Sequence, residues 1–167
     1  MQIRKLNNSD ALGMLEWMHD PEISSHFRTD FSRMTKNDVQ KFILDAQNFH
    51  QYRHYAIVDD EDKYLGTISL KEIDLVNMKA EYAIVLRKEA MGKGVAYHAS
   101  KMILRIAFQE LGLNKVYLNV LSNNKRAIEL YERLGFKFEG CFRQELLING
   151  KFEDLNWYAI IKESYEL

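Results

Sequence analysis

The chain has 167 residues, 47% of them hydrophobic and 28% charged, and a formal net charge of -1. That length suits one domain spanning residues 1–167, and the composition is that of a globular protein rather than a disordered one. A near-neutral charge gives no reason to expect nucleic acid or an anionic membrane as partner, and the lone Cys141 excludes an internal disulfide or a cysteine-based zinc cluster.

The opening Met1-Gln2-Ile3-Arg4-Lys5 lacks the apolar core of a signal peptide, and no run is long enough to span a bilayer. The expected location is therefore cytoplasmic. Residues 2–6 read as a strand, and Asn7 to Asp10 supply helix caps. Leu12, Leu15 and Met18 mark a short helix ended by Asp20-Pro21. Residues 22–34 read as irregular and carry His26, Phe27, Arg28 and Phe31. Thr35, with Asp38 three residues on, opens a second helix as a capping box, with Val39, Phe42, Ile43 and Ala46 inward. Residues 55–58 and 64–70 form a hairpin around an acidic turn at Asp59 to Asp62.

A further strand over 80–86 leads into Met91-Gly92-Lys93-Gly94-Val95-Ala96. A helix follows to about residue 109, with Val95, Ala99, Met102, Ile103 and Ile106 at the spacing of a buried face. Residues 116–121 form the next strand, parallel to 80–86 if the intervening helix is an ordinary crossover. Ser122 or Asn123 caps another helix with Ala127, Leu130 and Leu134 inward, and Gly135 ends it. Two long strands joined at Asn149-Gly150 close the chain. The fold class is mixed α/β, with a central, mostly antiparallel sheet, one parallel pair and about four flanking helices.

The glycine pair is the first functional signal. It permits backbone conformations closed to other residues, and the helix that follows presents unpaired N–H groups at the positive end of its dipole. That geometry suits a phosphate, and Lys93 adds charge. Tyr97 stands where a dinucleotide fingerprint needs a third glycine, and Val95 follows Gly94 where a P-loop needs lysine, so neither a nicotinamide cofactor nor ATP is favoured. His19, His26, His50, His54 and His98 have no metal-ligand spacing, and no metal is expected.

The second signal is Asn124-Lys125-Arg126-Ala127-Ile128-Glu129-Leu130-Tyr131-Glu132-Arg133-Leu134-Gly135-Phe136. Asn-x-x-Ala-x-x-x-Tyr-x-x-x-Gly-Phe, one strand after a Gly-x-Gly turn, resembles the GNAT superfamily of acetyl-CoA-dependent N-acetyltransferases, and the resemblance covers essentially the whole chain. It implies a single GNAT-like domain in which Met91, Gly92, Lys93, Gly94, Val95 and Ala96 cradle the pyrophosphate of coenzyme A. The 80–86 and 116–121 strands would splay at a bulge and leave Ile84, Val85 and Leu86 to pair with the pantetheine arm. Asn119 and Asn124 would contact that arm, and Tyr131 would protonate the departing thiolate. Many members carry Gln or Arg three residues before the first glycine, where this chain has Glu89; Arg87 and Lys88 stand nearby to substitute. Lys125 and Arg126 read as a solvated helix face, with phosphate contact as the alternative.

An amine attacks a thioester only when unprotonated, and an alkyl ammonium has a pKa of roughly 10. Glu81, at the start of the strand beside the cofactor, is the candidate base, with a water chain as the alternative. The acceptor would be a small-molecule amine bound among Trp17, His26, Phe27, Arg28, Tyr82 and Trp157. The stretch Trp17-Met18-His19-Asp20-Pro21-Glu22 resembles amino-sugar-nucleotide, spermidine and ribosomal-protein alanine acetyltransferases. An amino sugar nucleotide is placed ahead of a polyamine, with a protein N-terminus as the alternative acceptor. A binding module that holds acetyl-CoA without turning it over is the alternative of another class. The exposed hairpin edge would allow a homodimer.

Overall fold

The computed structural model describes residues 1–27, 29–47 and 51–165. In chain order the elements are β1 (Gln2–Lys5), α1 (Ala11–Met18), α2 (Pro21–Ser24), α3 (Lys36–Ala46), β2 (Arg53–Val58), β3 (Tyr64–Asp74) and β4 (Lys79–Leu86). There follow α4 (Val95–Arg105), β5 (Lys115–Leu121), α5 (Lys125–Arg133), β6 (Lys137–Ile148) and β7 (Lys151–Ile161). The strands form one sheet in the order β1-β2-β3-β4-β5-β7-β6. Among the described residues only β4 and β5 pair in parallel, as the crossover through α4 requires.

Short polar side chains set the helix starts. Asn7 and Asp10 form a capping box before α1, and Thr35 and Asp38 form the one expected before α3. Asp10 is also buried, and both its oxygens accept from the Arg4 guanidinium, at 2.8 and 2.9 Å, which ties β1 to the start of α1. Asp20-Pro21 does more than end α1. Asp20 caps α2 by accepting from the Glu22 N–H, with Pro21 in the first turn, where its missing N–H costs nothing. On α1, Ala11, Met14, Trp17 and Met18 are buried and Leu15 packs against them, while Leu12 is 65% exposed. Of the three residues that mark this helix in the sequence, Met18 and Leu15 therefore face the core and Leu12 does not.

Side chains alternate across the sheet, so one strand feeds two cores. On β2, Ile57 joins Leu70, Ile103, Leu104 and Phe108 on the face covered by α4 and α5. Its neighbours Ala56 and Val58 join Met14, Trp17, Val39 and Ile43 on the face covered by α1 and α3.

The parallel pair meets only at Lys79↔Lys115, Ala80↔Val116 and Glu81↔Tyr117. Beyond those pairs β4 stays with β3 as far as Leu86, while β5 stays with β7 as far as Leu121, so the two strands part. No bulge marks the parting. The β3–β4 register is continuous from Gly66↔Leu86 to Lys71↔Glu81, and the irregularity falls beyond it, between Lys71 and Asp74. The opening arises because each strand follows a different neighbour. At the far edge, β6 and β7 turn at Asn149-Gly150, both with positive φ, 50° and 76°.

Candidate active site

Two features frame the opening between β4 and β5. The first is the turn between β4 and α4. Gly92 and Gly94 have φ of 76° and 78°, a left-handed conformation that glycine adopts without strain. No side chain caps the first turn of α4, so its N–H groups remain for a ligand. A Cβ at either glycine would meet nothing closer than 3.7 Å, so the turn leaves open space above it. The residues present therefore fit a phosphate group.

The second is α5, which starts where β5 ends. Its cap is Asn124, not Ser122 or Asn123: the Asn124 Oδ1 accepts from the Ala127 N–H at 3.2 Å. That bond turns the helix start towards the opening, and both Asn124 and Tyr131 line the resulting cleft. The Tyr131 ring packs edge-on against Tyr82 and tilted against Phe136. Its hydroxyl has no hydrogen-bond partner among the described residues. Burial pushes its pKa up to about 12, so the phenol keeps its proton at neutral pH.

The cleft measures about 530 Å³ and is lined also by Ala83, Ile84, Val120 and Leu121 at the splayed strand ends. Its lining also includes His26, Phe27, Lys71, Glu81, Glu145 and Trp157. Glu81 Oε1 accepts from Lys71 Nζ at 2.8 Å and from Asn119 Nδ2 at 3.3 Å. Asn119, expected on the cofactor arm, thus belongs to the surroundings of Glu81. The Trp157 indole packs near Tyr117 and Phe142, and its buried N–H has no partner among the described residues. A second groove of about 670 Å³ shares Phe27, Thr29 and Leu146 with the cleft and runs on past Asp30 and Phe31 to the β6–β7 turn.

Two expected acceptor contacts are core residues. Trp17 is buried and packs against Phe27 and Phe31, and its indole donates to the Tyr64 hydroxyl at 3.1 Å. Tyr82 borders the cleft but turns its ring inward, its hydroxyl 2.6 Å from Ser100 Oγ, because position 82 faces the α4 side of the sheet. Leu86 is buried and Val85 packs on the α1 side, so either would meet a ligand through backbone rather than side chain. Arg28 and His50 lie outside the described residues.

Beside the glycine turn, Arg87, Lys88, Lys63 and Glu89 are already paired. Glu89 is held by Arg87 at 2.7 Å and Lys63 at 3.0 Å, and hydrogen bonding from Lys63, with the charges of Arg87, Lys63 and Lys93, draws its pKa down. Arg87 is also paired with Glu16 on α1, and Lys88 with Glu22 on α2. Neither is free to replace the missing basic residue, as the sequence suggested. Arg126 instead lies over the turn, its Nη1 3.9 Å from Met91 Sδ. Sequence reasoning passed over Lys71 and Glu145, and gave phosphate contact as the alternative for Arg126.

Residues 1–137 match the family model described as acetyltransferase (GNAT) domain. Spermidine N(1)-acetyltransferase of Vibrio cholerae is 34% identical over 113 residues, 68% of this chain and 65% of that protein. The Escherichia coli enzyme of the same name is 35% identical over 123 residues, 74% of this chain and 66% of that protein. The match thus spans just under two thirds of these relatives. The crystal structure of spermidine N-acetyltransferase from Vibrio cholerae in complex with CoA and spermine superposes with a TM-score of 0.91 at 26% identity, covering 98% of this chain and 96% of that one. No helix among the described residues is long and apolar enough to cross a membrane.

Proposed function

The chain belongs to the acetyltransferase (GNAT) domain family, and on that premise we propose that it moves the acetyl group of acetyl-CoA to a primary amine of a polyamine. The observation that carries this reading is the opening between β4 and β5, with an unpartnered, protonated Tyr131 hydroxyl at one side and Glu81 at the other.

Acetyl-CoA, when bound, supplies the acetyl group as a thioester. Gly92 to Ala96 would hold its pyrophosphate on the backbone N–H groups of the turn, and Lys93 would add charge. The unpaired edge of β4 around Ala83 and Ile84 offers backbone groups to an extended arm, and Asn124 can reach that arm through Nδ2. Glu81, directly or through water, takes the proton that an acceptor ammonium must lose. Lys71 and Asn119 hold one of its oxygens and leave the other free for that task. Tyr131 gives its proton where thiolate charge develops.

A polyamine fits better than an amino sugar nucleotide, which reverses the order expected from the sequence. The acceptor side carries the carboxylates Glu81 and Glu145, and the adjoining groove, which shares Phe27, Thr29 and Leu146 with it, carries Asp30. Its cations are few, and Lys71 is already paired with Glu81. Among the described residues, a nucleotide's phosphates would find no unpaired lysine or arginine lining the cleft. The spermidine-acetylating relatives agree with this choice.

The test is thiol release from acetyl-CoA with spermidine, spermine, amino-sugar nucleotides and N-terminal peptides side by side. Polyamine-dependent release is expected. Release with only sugar nucleotides or only peptides would overturn the acceptor, and binding of acetyl-CoA with no release for any amine would make the chain a binding module.

A further inference from the structure

Lys71 and Glu81 face each other across the β3–β4 ladder, and the Lys71 Nζ stands 2.8 Å from Glu81 Oε1. Among the described residues Lys71 is the one lysine lining the cleft that also holds Tyr131, Asn124 and the splayed strand ends at Ala83 and Ile84. Its side chain is 34% exposed, and an ion pair open to water restrains its lysine only weakly. The amine is therefore able to swing within the cleft. These are the conditions that any acceptor must meet. The amine has to be primary, to reach the group that takes its proton, and to share the space into which the thioester is delivered. A polyamine meets them only after capture from solution. Lys71 meets them as part of the fold, with its proton acceptor already in contact.

Building on the acetyl-CoA reading above, we propose that Lys71 is a site of self-acetylation, modified by bound acetyl-CoA when no polyamine occupies the cleft. The Lys71 ammonium gives a proton to Glu81, and the freed Nζ attacks the thioester carbonyl carbon. An N–C bond forms as the C–S bond breaks, the thiolate takes the Tyr131 proton, and the nitrogen loses its second proton to water. Tyr131 then recovers a proton from Glu81 by way of water. The products are Nε-acetyl-lysine at position 71, free coenzyme A and one proton released to solvent. The new acetamide carries no charge and no longer pairs with Glu81. Polyamine and Lys71 thus compete for one acyl group, and an acceptor bound against Glu81 protects the lysine.

Incubation of the full chain with acetyl-CoA alone, read by intact mass and peptide mapping, tests it. The expected result is one added acetyl group per chain, at Lys71, with coenzyme A released in equal amount. Spermidine should protect Lys71, and excess coenzyme A should suppress the labelling. Tyr131→Phe should slow it at least about tenfold, which acetylation by acetyl-CoA free in solution would not show. Lys71→Arg keeps a charge beside Glu81 but removes the nucleophile, and should leave the chain unlabelled. Acetyl groups spread over exposed lysines, an unmodified Lys71, or labelling of Lys71 at an unchanged rate in Tyr131→Phe or under excess coenzyme A overturns self-acetylation. Where polyamine-dependent thiol release persists in those cases, the acetyltransferase reading stands. A chain that leaves Lys71 unmodified and releases no thiol with any amine overturns both.

Discussion

Tyr131 and Glu81 are the two side chains to which the proposed function gives the chemistry, and they differ in how plainly the sequence announces them. Tyr131 has its motif, and the structure adds its setting: it lines the cleft with its hydroxyl unpartnered among the described residues, and burial pushes its pKa up to about 12, so the phenol is protonated at neutral pH. Tyr131→Phe removes only the hydroxyl, which has no protein partner to leave unpaired. Since general acid help is worth roughly 10²–10⁴ in rate, kcat should fall at least about tenfold with coenzyme A affinity and stability little changed. Near-normal turnover, with chemistry shown to limit the rate, would return Tyr131 to the core. Glu81 has no motif, and its neighbours Lys71 and Asn119 lie on other strands, one of them hidden behind the irregularity between Lys71 and Asp74. A strict hairpin register counted back from the turn misses the Lys71↔Glu81 pair by one residue, and so assigns Lys71 to the wrong face. A third titratable residue, His54, makes a separate prediction. Burial, and then the charge of Lys71, lowers its pKa from 6.5 to about 4; its ring meets Ser69, Phe42 and Tyr52. The unfolded chain therefore takes up a proton below pH 6.5 that the folded chain refuses until about pH 4. The folded form loses stability across that window, by up to about 3 kcal/mol, and nothing above it. Denaturant midpoints of wild type and His54→Gln should converge as pH falls from 7 to 4; parallel curves would refute a buried neutral ring.

At the scale of elements, caps and turns were the most legible features because each is decided by a few adjacent residues. Thr35 with Asp38, the acidic hairpin turn and Asn149-Gly150 all lie where the sequence puts them. What the sequence blurred were choices between equivalent local patterns that distant packing decides. The inward face of α1, which leaves Leu12 out, is one such choice, and the cap of α5 is another. Asn124 was read as a cofactor contact, yet its Oδ1 accepts from the Ala127 N–H, while its Nδ2 has no partner among the described residues and is the donor it can offer a ligand. The two roles separate by substitution. Asn124→Ser keeps an oxygen for the cap and removes the amide donor, so stability should hold while coenzyme A affinity falls. Asn124→Ala should in addition lose about 1 kcal/mol of stability, the usual worth of an N-cap. If Asn124→Ser matches wild type in both calorimetry and denaturation, the residue is a cap alone.

At the scale of the whole molecule, the question is whether the two cores behave as one. On the proposed reading the acceptor lies on the side of the α1 and α3 core and the cofactor on the side of the α4 and α5 core, with the sheet between them. The residues of β2 alternate between the two, Ile57 into one and Ala56 and Val58 into the other. Met91, at the glycine turn, packs against both. Arg87 joins the strand end before that turn to Glu16 on α1, and Lys88 joins it to Glu22 on α2. Loss of either core would strip one face of a shared sheet, which cannot leave its apolar side in water. Ile43, in the first core, and Ile103, in the second, are both fully buried. Ile43→Ala and Ile103→Ala should each cost about 2–5 kcal/mol and each shift one common unfolding transition with an unchanged denaturant slope. Tryptophan fluorescence and far-ultraviolet circular dichroism should give coincident curves for both variants. If Ile43→Ala produces two transitions, with the α4 side melting later than the α1 side, the chain is two folding units, and the ties through Met91, Arg87 and Lys88 are too weak to carry cofactor binding across to the acceptor helices.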